Sequence, residues 1–84
     1  MNVLIIEDEL PAARQLSKLL QQQPFQVKVL EILDSVQASV KWLRHFSAPE
    51  LIFMDIQIAD GLSFDIFRQV TITSPVIFTT AFDQ

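Results

Sequence analysis

The stretch Leu51-Ile52-Phe53-Met54-Asp55 decides how this chain folds. Four large apolar residues run without a break into a carboxylate. Led in by Pro49-Glu50, the run predicts a strand buried on both faces, the type found inside a parallel sheet. Asp55 then stands at its carboxyl end. An aspartate there is costly to bury alone, and its placement points to chemistry.

The segments around it repeat the pattern. Asn2 to Ile6 is a second apolar run, β-branched at Val3, Ile5 and Ile6, and it too ends in acid, Glu7-Asp8-Glu9. Pro11 suits the first turn of a helix, and the acids before it suit the positive end of its dipole. Ala13, Leu16 and Leu20 recur at helical spacing, with Leu19 beside them, so the first helix runs from about Leu10 to Gln22. Val27 to Leu33 alternates, with Val27, Val29 and Glu31 on one side and Lys28, Leu30 and Ile32 on the other. This predicts a less buried, edge strand. Asp34-Ser35 supplies an N-cap. Val36, Val40 and Leu43 form one face of a second helix that ends near Ser47-Ala48-Pro49.

Beyond Asp55, Ile56 to Gly61 reads as a loop with the only glycine, and Asp60-Gly61 as a turn. Leu62 to about Gln69 predicts a short third helix with Phe64 and Phe67 in the core. Pro75 to Thr80 predicts a fourth buried strand. Trp42 and Phe46, four apart, read as a packing pair. His45, the only histidine, reads as a surface group, which argues against a zinc site or a His-based triad.

The order β-α-β-α-β-α-β implies one α/β domain: a three-layer, doubly wound parallel sheet with right-handed crossovers. Such sheets bind ligands at the carboxyl ends of their strands. Glu7-Asp8, Asp55 and Thr79-Thr80 are far apart in sequence, yet this topology brings them to one edge. Crowded carboxylates raise one another's pKa values unless a cation sits among them. An all-oxygen set suits a hard cation, with Mg²⁺ the natural candidate. Aspartate is also a nucleophile toward phosphorus.

Composition excludes other classes. A chain of 84 residues, 50% of them apolar, is one small domain with a core. With no cysteine there are no disulfides, thiolate metal sites or Cys nucleophile. No apolar run approaches the roughly 20 residues of a membrane helix. No secretory leader is visible, so a cytoplasmic protein is expected. A net charge of −4, with six scattered bases, argues against nucleic-acid binding by this segment.

Together these motifs resemble the receiver domain of two-component response regulators, notably the LytR/AlgR type. The likeness rests on Val3-Leu4-Ile5-Ile6-Glu7-Asp8-Glu9, on Leu51 to Gln57 followed by Asp60-Gly61, and on Pro75-Val76-Ile77-Phe78-Thr79-Thr80-Ala81. It implies a flavodoxin-like fold in which Asp55 accepts phosphate from a histidine kinase. It implies that Asp8 and Asp55 bind Mg²⁺ directly, Glu7 binds it through water and Gln57 through its backbone carbonyl. Thr80 would be the switch hydroxyl, and the module would catalyse only its own phosphorylation and dephosphorylation.

Two departures qualify the likeness. Ile58-Ala59 stand where the family usually has a proline. The chain also reads as truncated after the fourth strand, without the last strand, its lysine and the last helices. On that reading phosphorylation is slow or uncoupled, and the fourth strand becomes an apolar edge through which the chain self-associates. The alternative reading is therefore a non-phosphorylated interaction or dimerisation module. A phosphohydrolase with an aspartyl-phosphate intermediate is disfavoured, because Gln57 stands where such enzymes place a second aspartate.

Overall fold

Apolar runs in this chain fold into strands and amphipathic segments into helices, in the order the sequence implies. The computed structural model describes residues 1–79. Strand β1 (Asn2–Ile6) leads into helix α1 (Leu10–Gln21), β2 (Lys28–Leu33), α2 (Val36–His45) and β3 (Leu51–Asp55). Two short strands, β4 (Gln57–Ile58) and β5 (Gly61–Leu62), precede α3 (Phe64–Gln69) and β6 (Val76–Thr79). The main sheet has the order β2-β1-β3-β6, and all its pairings are parallel. This is the parallel α/β arrangement expected from the alternation, with the flavodoxin-like strand order that the resemblance implies.

Because strand side chains alternate in direction, β1 feeds two cores. Val3 and Ile5 join Ala13 of α1 and Val27, with Leu16, Leu20, Leu51 and Phe53 packed against them. Leu4 and Ile6 join Val36 and Val40 of α2, Ile52 and Met54 of β3, Ile58 and Ile66. Strand β1 is thus apolar on both faces, as an inner strand of a covered parallel sheet must be.

Several expectations need correction. Strand β3 is fully buried only at Ile52 and Met54; Leu51 and Phe53, on the face that α1 covers, are half-buried. Strand β2 does not alternate regularly. Its register against β1 slips at Leu30, so that Val3 faces Val29 while Leu4 faces Glu31. This bulge returns Ile32 to the same core as Val29, three residues earlier, instead of to the opposite face. Phe64 and Phe67 are not core: they are 44% and 41% exposed, and Ile66 at 0% is the buried anchor. The inward stripe of α3 runs through Ser63, Ile66 and Val70, and Phe64 instead packs edge-on against Phe78 of β6. Strand β6 is not buried as its apolar run alone predicted: Ile77 and Phe78 are exposed on the outer strand of the described sheet, as the apolar-edge reading expects.

The region after Asp55 is more ordered than a loop. Strands β4 and β5 form a small antiparallel hairpin, Gln57 opposite Leu62 and Ile58 opposite Gly61. Gly61 has φ 151°, a conformation L side chains rarely adopt, which explains the only glycine. Trp42 and Phe46 stack as expected, with ring centroids 4.9 Å apart.

Candidate functional site

The site forms where β1 and β3 end side by side. Ile6 pairs with Met54, so the next residues, Glu7 and Asp55, emerge together at the carboxyl edge of the sheet. Asp8 follows Glu7 before α1 begins. Carboxylate oxygens of Glu7, Asp8 and Asp55 lie within 4.8 Å of one another. Glu7 and Asp55 are half-buried and Asp8 is exposed. Asp8 and Asp55 border a cleft of about 530 Å³ lined also by Glu9 and the run Ile56–Ala59, with no basic residue in its lining among the described residues.

Local hydrogen bonds hold these groups. The Glu7 amide donates to the Leu33 carbonyl at 2.8 Å, which ties the start of the acidic turn to β2. The Glu7 carboxylate accepts from the Glu9 amide at 3.2 Å, and Asp55 Oδ1 accepts from the Ile56 amide at 2.8 Å. Burial, followed by the neighbouring Asp55 and Asp8 carboxylates, pushes the Glu7 pKa from 4.5 up to about 7, although the Glu9 amide opposes the rise. The cluster therefore binds a proton more readily than a free carboxylate does, and a cation would compete with that proton. Three carboxylates at this spacing are a donor set that fits a hard divalent cation.

The sequence-assigned residues fall as follows. Glu7, Asp8 and Asp55 meet, and Gln57 lines the same cleft. Thr80 lies outside the described residues. Its neighbour Thr79 pairs with Asp55 across β3 and β6. The bases are less scattered than the sequence suggests: Lys41, Arg44 and Arg68 line a separate cleft of about 590 Å³ between α2 and α3, away from the carboxylates.

Asp60 is the residue that sequence reading missed. Its side chain does more than stabilise a turn. Oδ1 accepts from the Val36 amide at 2.6 Å and Oδ2 from the Gln37 amide at 3.1 Å, so it caps α2 across 24 residues of sequence. Those amides hold its pKa below the usual 3.8. Ser35 completes the cap by accepting from the Ala38 amide at 3.0 Å. The only sequence signal was an aspartate before a glycine, which a simple turn explains equally well.

No protein-family model matches the chain. It is 36% identical over 87 aligned positions to the sensory transduction protein LytT of Enterococcus faecalis, and 30% identical to LytT of Bacillus cereus. All of this chain is aligned in both, and it spans about a third of each relative's length. Among solved structures it superimposes on the MaeR response regulator bound to beryllium trifluoride, with TM-score 0.78 and 25% identity. That match covers 100% of this chain and 70% of the other. The N-terminal domain of a response regulator/sensory box/GGDEF three-domain protein from Carboxydothermus hydrogenoformans gives TM-score 0.78 and 27% identity, covering 100% and 67%.

The chain is thus similar in sequence to LytT regulators and in fold to response-regulator receiver domains, which fits a receiver domain of the LytR type. Receiver domains are signalling switches of two-component systems, not enzymes with an outside substrate. The carboxylate cluster of this chain sits at the strand ends its topology brings together. None of its described helices is long and apolar enough to cross a membrane.

Proposed function

We propose that this receiver is phosphorylated on Asp55 by a histidine kinase in the cytoplasm, with Mg²⁺ bound beside the acceptor. One observation carries the reading: Glu7, Asp8 and Asp55 converge within 4.8 Å at the ends of adjacent strands. Likeness to a response regulator bound to beryllium trifluoride supports the binding of a small phosphoryl-like group.

Asp8 and Asp55 would hold the cation directly, Glu7 through water and Gln57 through its backbone carbonyl. A bound Mg²⁺ neutralises phosphoryl oxygens that the carboxylates would otherwise repel. A carboxylate oxygen of Asp55 attacks phosphorus, and the new O–P bond forms as the P–N bond to the donor imidazole breaks. The bonding pair leaves on the imidazole nitrogen. Thr80 remains the proposed switch hydroxyl, beyond the described residues.

The test is intact mass after incubation with Mg²⁺ and a small acyl phosphate, with Asp55→Ala as control. Gain of one phosphoryl group by the parent chain alone supports the reading. No gain in a folded parent chain sinks it.

A second reading is self-association through β6. It is favoured by the exposed apolar side chains Ile77 and Phe78 on that strand and Phe64 packed against Phe78. Sedimentation of this chain as a monomer at high concentration excludes it.

A further inference from the structure

The hairpin after Asp55 is held at two ends, and only one of them is at the carboxylates. At the near end, the Ser63 amide donates to the Ile56 carbonyl at 2.7 Å. At the far end, Asp60 grips the first two amides of α2 at 2.6 and 3.1 Å, and the Ala59 amide donates to the Asp34 carbonyl at 3.3 Å. Between them run Gln57 and Ile58. Gln57 lines the acidic cleft, while Ile58 is buried at 4% in the core beneath α2. Gly61 supplies the φ of 151° that this turn takes, while its surroundings leave room for ordinary contacts. A Cβ added there would lie 3.5 Å from Asp65 Oδ2 and 4.0 Å from Val36 Cγ2. One wall of the cleft is therefore suspended from the start of α2.

From this geometry we infer that Asp60 is a positioning residue for the cation site: by clamping the hairpin to α2 it fixes the Gln57 backbone relative to Asp8 and Asp55. The inference rests on the proposed Mg²⁺ reading of the cleft. Asp60 itself touches neither the cation nor the acceptor. Its carboxylate is committed to two amides on the far side of the turn. Releasing the clamp leaves the three carboxylates in place and frees the wall that carries Gln57. Outer-shell groups of this kind commonly govern metal affinity through the ligands they orient.

The experiment is Mg²⁺ titration of the full 84-residue chain by calorimetry, at a temperature where every variant is folded. The parent chain should bind Mg²⁺ and Asp55→Asn should not. Asp60→Ala should bind roughly three- to thirtyfold more weakly, with Asp60→Asn between. Amide exchange at Val36 and Gln37 should speed up in Asp60→Ala. If Asp60→Ala does not fold, Val36→Pro gives the same test. It deletes the 2.6 Å donor at the first helical position, where proline is tolerated and where Ser35 before it is already extended. Val36→Pro should weaken Mg²⁺ binding in the same direction. A lowered melting temperature with unchanged Mg²⁺ affinity overturns the inference and leaves Asp60 as a structural cap only. A folded parent chain that binds no Mg²⁺ overturns the cation reading and this inference with it.

Discussion

Glu7 and Asp60 carry the same functional group and are driven in opposite directions by their surroundings. Asp60 faces two helix amides, which favour its anion. Glu7 is half-buried beside two other carboxylates, which disfavour its anion. Above pH 7 the cation-free cluster is therefore under like-charge strain. Glu7→Gln removes one of those charges with little change in shape. Thermal unfolding at pH 8 in chelator should show this variant more stable than the parent by about 0.5–1 kcal/mol, a gain kept small by solvent screening. Equal or lower stability would mean that the cluster is relieved by some other means. A loss is expected instead at Ser35, whose hydroxyl accepts from the Ala38 amide. Ser35→Ala should cost about 1 kcal/mol in a denaturant melt.

At the scale of elements, the strongly patterned segments were legible and the irregular ones were not. Strand β1 and helix α1 follow from apolar runs and from spacing, because burial on a sheet or a helix face leaves a period in the sequence. The bulge at Leu30 leaves none. Its cause is the pairing of β2 with β1, and it moves Ile32 to a face that strict alternation denies it. Helix α3 misled for a related reason. Over six residues, Phe64-Asp65-Ile66-Phe67-Arg68-Gln69, several apolar stripes fit equally well, and size favoured the aromatics. The structure instead buries Ile66 between α2 and the sheet. The two phases of α3 predict different mutants. Ile66→Ala should cost about 2–5 kcal/mol, whereas Phe67→Ala should cost about 1 kcal/mol or less. Urea melts of the two variants decide between them, and equal losses would restore the aromatic core that the sequence suggested.

At the scale of the whole molecule, the site was legible because topology, not local sequence, assembles it. Glu7, Asp8 and Asp55 could be joined on paper once a parallel sheet was inferred, since parallel strands end on one edge. The Asp60 clamp was not legible, because it joins a turn to a helix start through side-chain geometry alone. The two carboxylates also set opposing slopes in stability against pH. Asp60, lowered from 3.8, stabilises the fold above that value, and the contribution is lost as pH falls through its folded pKa. Glu7, raised from 4.5 to about 7, has the reverse sign: the folded chain holds its proton more tightly than the unfolded chain does. Its contribution is complete below 4.5 and is lost as pH rises through about 7. A shift of that size corresponds to about 3 kcal/mol, which solvent access trims to roughly 1–2. Without divalent cations, the two groups together place maximal stability near pH 4–5, with a decline toward pH 7.5. Mg²⁺ competes with the Glu7 proton, so it should raise the melting temperature more at pH 7.5 than at pH 5 and flatten that decline. Melts across this range, with chelator and with Mg²⁺, test the linkage. A melting temperature already flat from pH 4.5 to 7.5 in chelator, or an equal slope in Glu7→Gln, would show that Glu7 does not carry the effect.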